Sequence, residues 1–217
     1  MNFSRDIKHI IWDWNGTLVN DVHLCVSLIN SILSRRSLPE ISQDTYRDTF
    51  DFPVIDYYKR LGFDFEKESF ETLSNEFIGG YIDARQTLKL HSGAIEALNF
   101  FRQRGLPQCI LSATELNALN LTLKEHQIDR YFKTVLGLDH HYADGKVYLG
   151  KTWLEQNHIS TDQVLFIGDT LHDLNVANEM KIQCLLVATG HHSKDRLKTE
   201  NTNVLQNLHE LIDLFKV

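Results

Sequence analysis

The sequence predicts an α/β fold in which a doubly wound parallel (Rossmann-like) sheet carries an inserted α-helical cap. Short apolar runs alternate with amphipathic helical segments from residue 89 onward, a pattern typical of βαβ units and parallel sheets. An apolar run over 10–12 has the same strand character, but helical periodicity without a confident strand fills the chain between them. We therefore expect a core built from residues 1–19 and 89–217, and a helical cap formed by residues 20–88.

Composition and charge narrow the class of protein. The 217 residues are 42% hydrophobic and 24% charged, which is ordinary for a globular chain with a sizeable core. The net charge of −7 argues against a nucleic-acid partner, which requires a basic face. Residues 1–8 are too polar for a signal peptide, and no apolar run approaches the roughly 20 residues of a membrane helix. The three cysteines form no CxxC pair and are expected to be small buried residues in a reducing compartment. These features together predict a cytoplasmic protein without a membrane or nucleic-acid partner, and they leave the oligomeric state open.

The first strand and the cap helices follow from the spacing of apolar residues. The run over 10–12 predicts a buried strand that ends near a turn-forming Asn-Gly pair. Apolar residues recur every three or four positions over 22–35, and Asn20 or Asp21 is suited to cap the helix predicted there. The remaining cap pieces are expected at 46–52, 54–61 and 66–85.

The core after residue 89 is expected to alternate regularly between strands and helices, because apolar runs and amphipathic stretches alternate there. Strands are expected over 108–111, 134–138, 164–167 and 184–188. Helices are expected over 94–103, 115–126, 147–157, 171–181 and 204–215, and a polar loop over 140–145.

Polar side chains stand where several of these strands end. Asp13 follows the first strand, Ser112 the second, and Asp169 the strand over 164–167. Asp173 comes four residues after Asp169 on the following helix, so both carboxylates can face one crevice. The carboxyl ends of parallel strands meet at one edge of an open sheet, and these groups are therefore expected to converge. Converging carboxylates repel one another unless a cation joins them, and hard oxygen ligands favour Mg²⁺.

Four short motifs along nearly the whole chain resemble those of the haloacid dehalogenase-like hydrolases, in particular their phosphoglycolate phosphatase-like branch. The stretch DWNGT at 13–17 is similar to the first motif of that family, Asp-x-Asp-Gly-Thr. Ser112 after an apolar strand resembles the second motif, and Lys146 resembles the third. The stretch GDTLHD at 168–173 resembles the fourth motif and is the most specific of the four. The helical segment between the first two motifs matches the small cap of the family.

The resemblance implies Mg²⁺-dependent hydrolysis of a small phosphorylated metabolite through an aspartyl-phosphate on Asp13. It implies that the ion is held by the Asp13 carboxylate, the backbone carbonyl of Asn15, the Asp169 carboxylate and, through water, Asp173. The catalytic residues that it implies are Asp13, Asn15, Ser112 and Lys146. The residues that it implies for holding the substrate and its phosphoryl oxygens are Gly16, Thr17, Ser112, Ala113 and Lys146. Together these groups would position the phosphoryl group and neutralise its charge.

Two lysines compete for the third motif. Lys146 precedes the helix predicted over 147–157, so its side chain can reach back into the crevice. Lys151 lies one turn further into that helix and is expected to be solvated. We therefore predict that Lys146 is the phosphate-binding lysine and keep Lys151 as its rival.

Asn15 departs from the family pattern, in which an Asp protonates the leaving alcohol and then activates water. An amide can do neither, and general acid–base help is typically worth about 10²–10⁴ in rate. Three interpretations stay open: a phosphatase that is slow on alkyl esters, a phosphonate or haloacid hydrolase, or a catalytically impaired protein that binds a ligand or a partner. The acidic fourth motif favours a metal and phosphorus. We expect the wild-type rate to depend more steeply on the pKa of the leaving group than the rate of Asn15→Asp.

Other polar residues receive no firm role from the sequence. The pairs His140-His141 and His191-His192 are expected to be solvated loop residues. His172 either touches the substrate or points outward from its helix. In the cap, Arg47 and residues 57–60 either contact the far end of a substrate or form the cap core and its solvated face.

Overall fold

The computed structural model describes residues 6–138, 145–199 and 203–216. In chain order its strands are β1 (His9–Trp12), β2 (Val19–Asn20), β3 (Lys89–Leu90), β4 (Gln108–Glu115), β5 (Phe132–Leu138), β6 (Val164–Gly168), β7 (Gln183–Val187) and β8 (Val204–Leu205). Its α-helices are α1 (Val22–Arg35), α2 (Gln43–Thr49), α3 (Val54–Arg60), α4 (Phe70–Ala84), α5 (Ala94–Gln103), α6 (Leu116–Glu125), α7 (Gly145–Gln156), α8 (Leu171–Met180), α9 (Lys194–Lys198) and α10 (Leu208–Leu214).

Six parallel strands form the central sheet, in the order β5-β4-β1-β6-β7-β8. Because β1 lies between β4 and β6, the chain winds in one direction through β4 and β5 and in the other through β6, β7 and β8. Ligand crevices of open α/β sheets form at such a switch point, beyond the carboxyl ends of the strands. The predicted α/β class with a doubly wound parallel sheet is confirmed.

Helices cover both faces of this sheet, so its central strands are buried on both sides. Side chains alternate along a strand, and Ile10 and Trp12 accordingly pack with residues of α5 and α10, whereas Ile11 packs with residues of α7 and α8. The indole N–H of Trp12 donates to Gln108 Oε1 at 2.9 Å inside the core. This two-sided packing fixes β1 firmly and, with it, the residues that follow β1.

Helices α1 to α4 share an apolar cluster of their own, which includes Ile29 and Leu73. Within it α1 packs along α4. The antiparallel pair β2–β3 joins the two segments of chain that lead into and out of this helical unit. On this basis we propose that residues 20–88 form a cap, distinct from a core of residues 1–19 and 89–217.

Several element boundaries differ from the prediction. Strands β2 and β3 are two residues long, which is too short to leave a pattern in the sequence. The last helix begins at Leu208 and not at residue 204, because Val204–Leu205 pairs with β7. The long cap helix begins at Phe70, where Ser69 Oγ accepts the backbone N–H of Thr72 at 3.1 Å and caps the helix.

Three further predictions concern the cap of α1, the polar loop and membrane-spanning helices. Asp21 occupies the N-cap position of α1, but its side chain makes no capping hydrogen bond. The predicted polar loop over 140–145 and the pair His140-His141 lie outside the described residues, except for Gly145 at the start of α7. None of the helices described here combines the length and apolar character that crossing a membrane requires.

Candidate active site

Asp13, Lys146 and Asp173 meet at the carboxyl edge of the sheet. Asp13 follows β1, and its backbone N–H donates to the carbonyl of Ile167 in β6 at 2.9 Å. Lys146 Nζ donates to Asp13 Oδ1 and to Asp173 Oδ1, both at 2.7 Å. All three side chains are buried. The structure thus joins three of the predicted residues, drawn from different strand–helix units, in one ionic cluster.

Asp169 brings the number of carboxylates in this cluster to three. Oxygens of Asp13, Asp169 and Asp173 lie within 4.8 Å of one another. Burial raises the pKa of Asp13 to about 6 against the opposing effect of Lys146, and burial raises the pKa of Asp169 to about 8 against the effect of His191. Burial also acts on Asp173, but Lys146 outweighs it and lowers the pKa of that carboxyl. Because Lys146 contacts only Asp13 and Asp173 among these three carboxylates, a further cation would favour the ionised form of all three.

Two hydrogen bonds hold Asp169 in place, and two glycines leave the space that its carboxylate occupies. Thr17 Oγ1 donates to Asp169 Oδ1 at 2.7 Å, and the backbone N–H of His191 donates to Asp169 Oδ2 at 2.6 Å. A Cβ on Gly16 or on Gly190 would collide with this carboxylate, and Gly16 also has a positive φ of 73°. Thr17 is fully buried, so its hydroxyl orients Asp169 in this structure and does not face a crevice.

The start of α8 fixes Asp173. Thr170 Oγ1 accepts the backbone N–H of Asp173 at 3.2 Å, and Asp173 Oδ2 accepts the N–H of Thr170 at 3.1 Å, which together form a capping box. The other carboxylate oxygen accepts the ammonium of Lys146. Both oxygens of Asp173 therefore already have donors, which suits contact with a cation through water more than direct coordination.

Ser112 and Ala113 lie near the end of β4, at the same edge of the sheet as Asp13. Ser112 Oγ donates to Thr114 Oγ1 at 3.1 Å, and Thr114 Oγ1 donates to Asn15 Oδ1 at 2.9 Å. The second predicted motif is thus connected to the first through Thr114, a residue that the sequence analysis did not single out.

Comparison with known proteins identifies the family. Residues 10–187 match the family of haloacid dehalogenase-like hydrolases. The chain belongs to this family. Phosphoglycolate phosphatase 1 of Pseudomonas aeruginosa is 21% identical to this hydrolase over 96% of the chain and 80% of its own length. The resemblance read from the four sequence motifs is therefore confirmed.

Solved structures show the same fold. A haloacid dehalogenase-like family hydrolase of Streptococcus pneumoniae superimposes with a TM-score of 0.80 at 20% identity, over 98% of this chain and all (100%) of that chain. Protein tyrosine kinase A of Mycobacterium tuberculosis superimposes with a TM-score of 0.80 at 19% identity, over 99% of this chain and all (100%) of that chain. Since proteins with such different names share the architecture, the function of this hydrolase must be argued from its site.

The structure separates the two rival lysines of this hydrolase. Lys146 is the second residue of α7 and does not precede the helix as predicted. Side chains in a helix point toward its N-terminus, and a residue in the first turn therefore still reaches the sheet edge. Lys151 is exposed and lines a surface groove beside Leu154 and Met180, away from Asp13. The geometry supports Lys146 as the lysine of the site.

The pair His191-His192 is buried, contrary to the expectation of solvated loop residues. His191 Nε2 lies 3.2 Å from Asp21 Oδ1, and its Nδ1 lies 2.9 Å from the hydroxyl of Tyr46 in α2. His192 Nδ1 accepts the backbone N–H of Leu171 at 3.1 Å. Both histidines follow β7, so their place beyond a strand end was the signal in the sequence that could have marked them.

Two further contacts join the cap to this edge of the sheet. The guanidinium of Arg47 donates from Nε to the carbonyl of Gly190 at 3.0 Å. The rings of Phe52 and His172 contact each other with centroids 4.6 Å apart and planes tilted by 33°. His172 therefore packs against the cap and does not point outward from its helix. Arg47 binds the backbone of the core and is not part of a solvated face.

We expect His191 to stabilise the fold in a pH-dependent way. Burial opposes its charge, but Asp21 outweighs burial and raises the pKa of His191 from 6.5 to about 9. A raised folded-state pKa contributes stability that is complete below pH 6.5 and is lost as the pH rises through 9. The shift corresponds to about 3 kcal/mol. In urea unfolding, the stability difference between wild type and His191→Gln should be largest near pH 6 and should shrink by that amount near pH 9.5.

The matched control is His23→Gln, because His23 is exposed on α1. Its stability difference from the wild type should stay small and flat across the same pH range. A His191→Gln difference that did not change between pH 6 and pH 9.5 would contradict a charged His191 in the folded protein.

Proposed function

We propose that this hydrolase is a Mg²⁺-dependent phosphatase that cleaves a small phosphorylated metabolite through an aspartyl-phosphate on Asp13. The observation that carries the proposal is the buried cluster in which Lys146 Nζ lies 2.7 Å from both Asp13 and Asp173, with Asp169 beside them. A nucleophilic carboxylate next to a fixed ammonium is suited to attack a negatively charged phosphoryl group.

The reaction consists of two displacements at phosphorus. An oxygen of Asp13 forms a bond to phosphorus while the bond from phosphorus to the leaving oxygen breaks. Water then forms a bond to phosphorus while the bond from phosphorus to the Asp13 oxygen breaks, which releases inorganic phosphate. The proton that this water loses to solvent balances the proton that the leaving oxygen takes from solvent. In both steps the Lys146 ammonium offsets the negative charge of Asp13 and of the phosphoryl oxygens. We propose that Ser112 and the N–H of Ala113 hold those oxygens from the end of β4.

The donor set of the site fits a divalent cation. Three buried carboxylates lie together, Lys146 contacts two of them, and their oxygens are the hard ligands that Mg²⁺ prefers. We propose as ligands Asp13, the backbone carbonyl of Asn15, Asp169 and, through water, Asp173. Bound there, Mg²⁺ would supply the positive charge that the carboxylate cluster lacks and that phosphoryl transfer requires. In this assignment Thr17 acts by orienting Asp169.

The substrate class is inferred from the relatives and from the site. The similar protein of Pseudomonas aeruginosa is named a phosphoglycolate phosphatase, and a similar protein of Dickeya dadantii is named a probable phosphatase. The cap contacts the core beside the site through Arg47 and Phe52, which favours a small substrate over a macromolecule. We therefore propose a small phosphorylated metabolite as the substrate.

A second candidate function, ligand or partner binding without efficient turnover, is favoured by one observation. The side chain of Asn15 is fully engaged in hydrogen bonds with Asp21, Tyr81 and Thr114, and an amide cannot donate a proton to a leaving alcohol. The test below separates the two candidates, because binding alone does not release phosphate.

Turnover of p-nitrophenyl phosphate is expected with Mg²⁺ and is expected to be lost in EDTA. Because a cation that binds the folded protein stabilises it, Mg²⁺ at about 100 times its dissociation constant should raise the Tm by roughly 5–10 °C. Phosphate release and thermal unfolding, each with Mg²⁺ and with EDTA, measure the two effects. A Tm shift without turnover would favour the binding function, and equal turnover in EDTA would contradict the metal-dependent mechanism.

A further inference from the structure

Asn15 connects three separate parts of the chain. Its Nδ2 donates to Asp21 Oδ2 and to the hydroxyl of Tyr81, each at 2.8 Å. Its Oδ1 accepts the hydroxyl of Thr114 at 2.9 Å. Tyr81 lies in α4 of the cap, Asp21 lies at the start of α1, and Thr114 lies in β4. One amide therefore joins the loop that follows Asp13 to the cap and to the neighbouring strand.

Asp21 is a fully buried carboxylate that accepts a weak contact from the Cys25 thiol at 3.9 Å and binds four further groups around this loop. Its Oδ2 accepts Asn15 Nδ2 and the hydroxyl of Tyr81, at 2.8 and 2.9 Å. Its Oδ1 accepts the backbone N–H of Gly16 at 2.9 Å and lies 3.2 Å from His191 Nε2. Both oxygens are thus satisfied by donors, and the N–H of Gly16 is held by Asp21 instead of facing a substrate oxygen.

The negative charge of Asp21 favours an amide over a carboxylate at residue 15. A carboxylate there would place two negatively charged oxygens at the 2.8 Å separation now spanned by Asn15 and Asp21, where Asp21 is fully buried and Asn15 is half-buried. Cys25 and His191 also have ligand atoms within 4.8 Å of Asp21, but donors already occupy both oxygens of Asp21. The cluster is therefore better explained as a closed hydrogen-bond network than as a second cation site.

We propose that Asn15, Asp21 and Tyr81 form an amide–carboxylate clasp that positions the loop after Asp13 and holds cap helix α4 against it, so that Asn15 is a positioning residue matched to Asp21. The clasp gives Asn15 a role that does not depend on proton transfer. Its structural part stands independently of the proposed function, whereas its effect on turnover rests on that function.

A double-mutant cycle on thermal unfolding tests the clasp. Asn15→Asp should lower the Tm by about 10 °C, because it adds an uncompensated negative charge beside the fully buried Asp21. Asp21→Asn should also lower the Tm, because His191 loses its partner. The exchange variant Asn15→Asp/Asp21→Asn restores one amide and one carboxylate at the same separation. It should therefore recover at least half of the loss measured for Asn15→Asp.

The control for this cycle is Asn117→Asp. The amide of Asn117 donates to the Glu115 carboxylate at 2.9 Å, as Asn15 does to Asp21, but this pair is exposed to solvent. Its Tm should change by less than about 2 °C, since exposed charge pairs contribute little. Additive losses, with the exchange variant less stable than either single variant, would overturn the clasp. Because Asn and Asp have nearly the same shape, we expect all variants to fold.

A second readout distinguishes positioning from a purely structural role. In the exchange variant a carboxyl group stands at residue 15 inside an intact clasp, where it can protonate a leaving alcohol. The ratio of turnover of an alkyl phosphate to that of p-nitrophenyl phosphate should therefore rise at least about 10-fold over the wild type, and by less in Asn15→Asp alone. An unchanged ratio in a stable exchange variant would contradict the match between the two residues. If the wild type shows no turnover, the proposed function fails, and the unfolding cycle alone decides the clasp.

Discussion

Asp13→Asn is expected to reduce turnover of p-nitrophenyl phosphate by at least about 10³-fold, because an amide oxygen cannot replace a carboxylate as the nucleophile at phosphorus. The change removes one of three mutually repelling carboxylates, and Lys146 keeps its 2.7 Å bond to Asp173. The variant should therefore fold and unfold at a temperature close to that of the wild type. Steady-state phosphate release and thermal unfolding measured on the same preparation check both expectations.

A matched control for this variant is Asp213→Asn. Asp213 is a largely exposed carboxylate whose partner, Lys216, lies 2.9 Å away on the surface. Its turnover and its Tm should equal those of the wild type, because exposed ion pairs add little to stability. Retention of a tenth or more of the wild-type turnover by Asp13→Asn would exclude Asp13 as the nucleophile.

Lys146→Met is expected to affect both stability and turnover strongly. The change removes the ammonium that contacts Asp13 and Asp173, and leaves buried carboxylates uncompensated. Breaking a buried ion pair in this way costs about 3–5 kcal/mol. Loss of the charge opposite the phosphoryl oxygens should lower kcat by at least about 10²-fold. Urea unfolding in EDTA and steady-state kinetics with Mg²⁺ measure the two effects separately.

Lys151→Met provides the control in the same helix. Lys151 is exposed and lies in a groove away from Asp13, so its removal should change stability by less than about 0.5 kcal/mol and leave kcat intact. The two variants together decide between the lysines that the sequence left as rivals. A larger loss of kcat in Lys151→Met than in Lys146→Met would reverse the assignment.

The role of Asn15 looks different in the sequence and in the structure. In the sequence, Asn15 is a departure from a motif and suggests only a missing acid. In the structure the same amide donates to Tyr81, 66 positions away, and to Asp21, which the sequence suggested only as a helix cap. No local pattern marks these partners, because they become neighbours only when α4 packs above the loop.

The burial of His191 and His192 could not be predicted from the sequence. Adjacent histidines in a polar stretch are typical of solvated loops, and the place of His191 beyond a strand end could mark it as a site residue but not as a buried one. Tyr46 of the cap and Asp21 at the start of α1 enclose its ring from both sides. Burial of a titratable group depends on what packs over it, and in this chain the covering groups come from another structural unit.

Alternation of apolar runs with amphipathic helices determined the parallel sheet, its strand ends and the residues that stand there, because a buried strand leaves a local pattern and must deliver its last polar residue at the sheet edge. The sequence alone could in this way predict four site residues, Asp13, Ser112, Asp169 and Asp173. Only the tertiary structure decided which charges pair. The contact of Lys146 with Asp13 spans 133 positions, and that of Thr17 with Asp169 spans 152. Hydrogen-bond partners at such separations are chosen by the packing of whole elements, which no stretch of sequence encodes by itself.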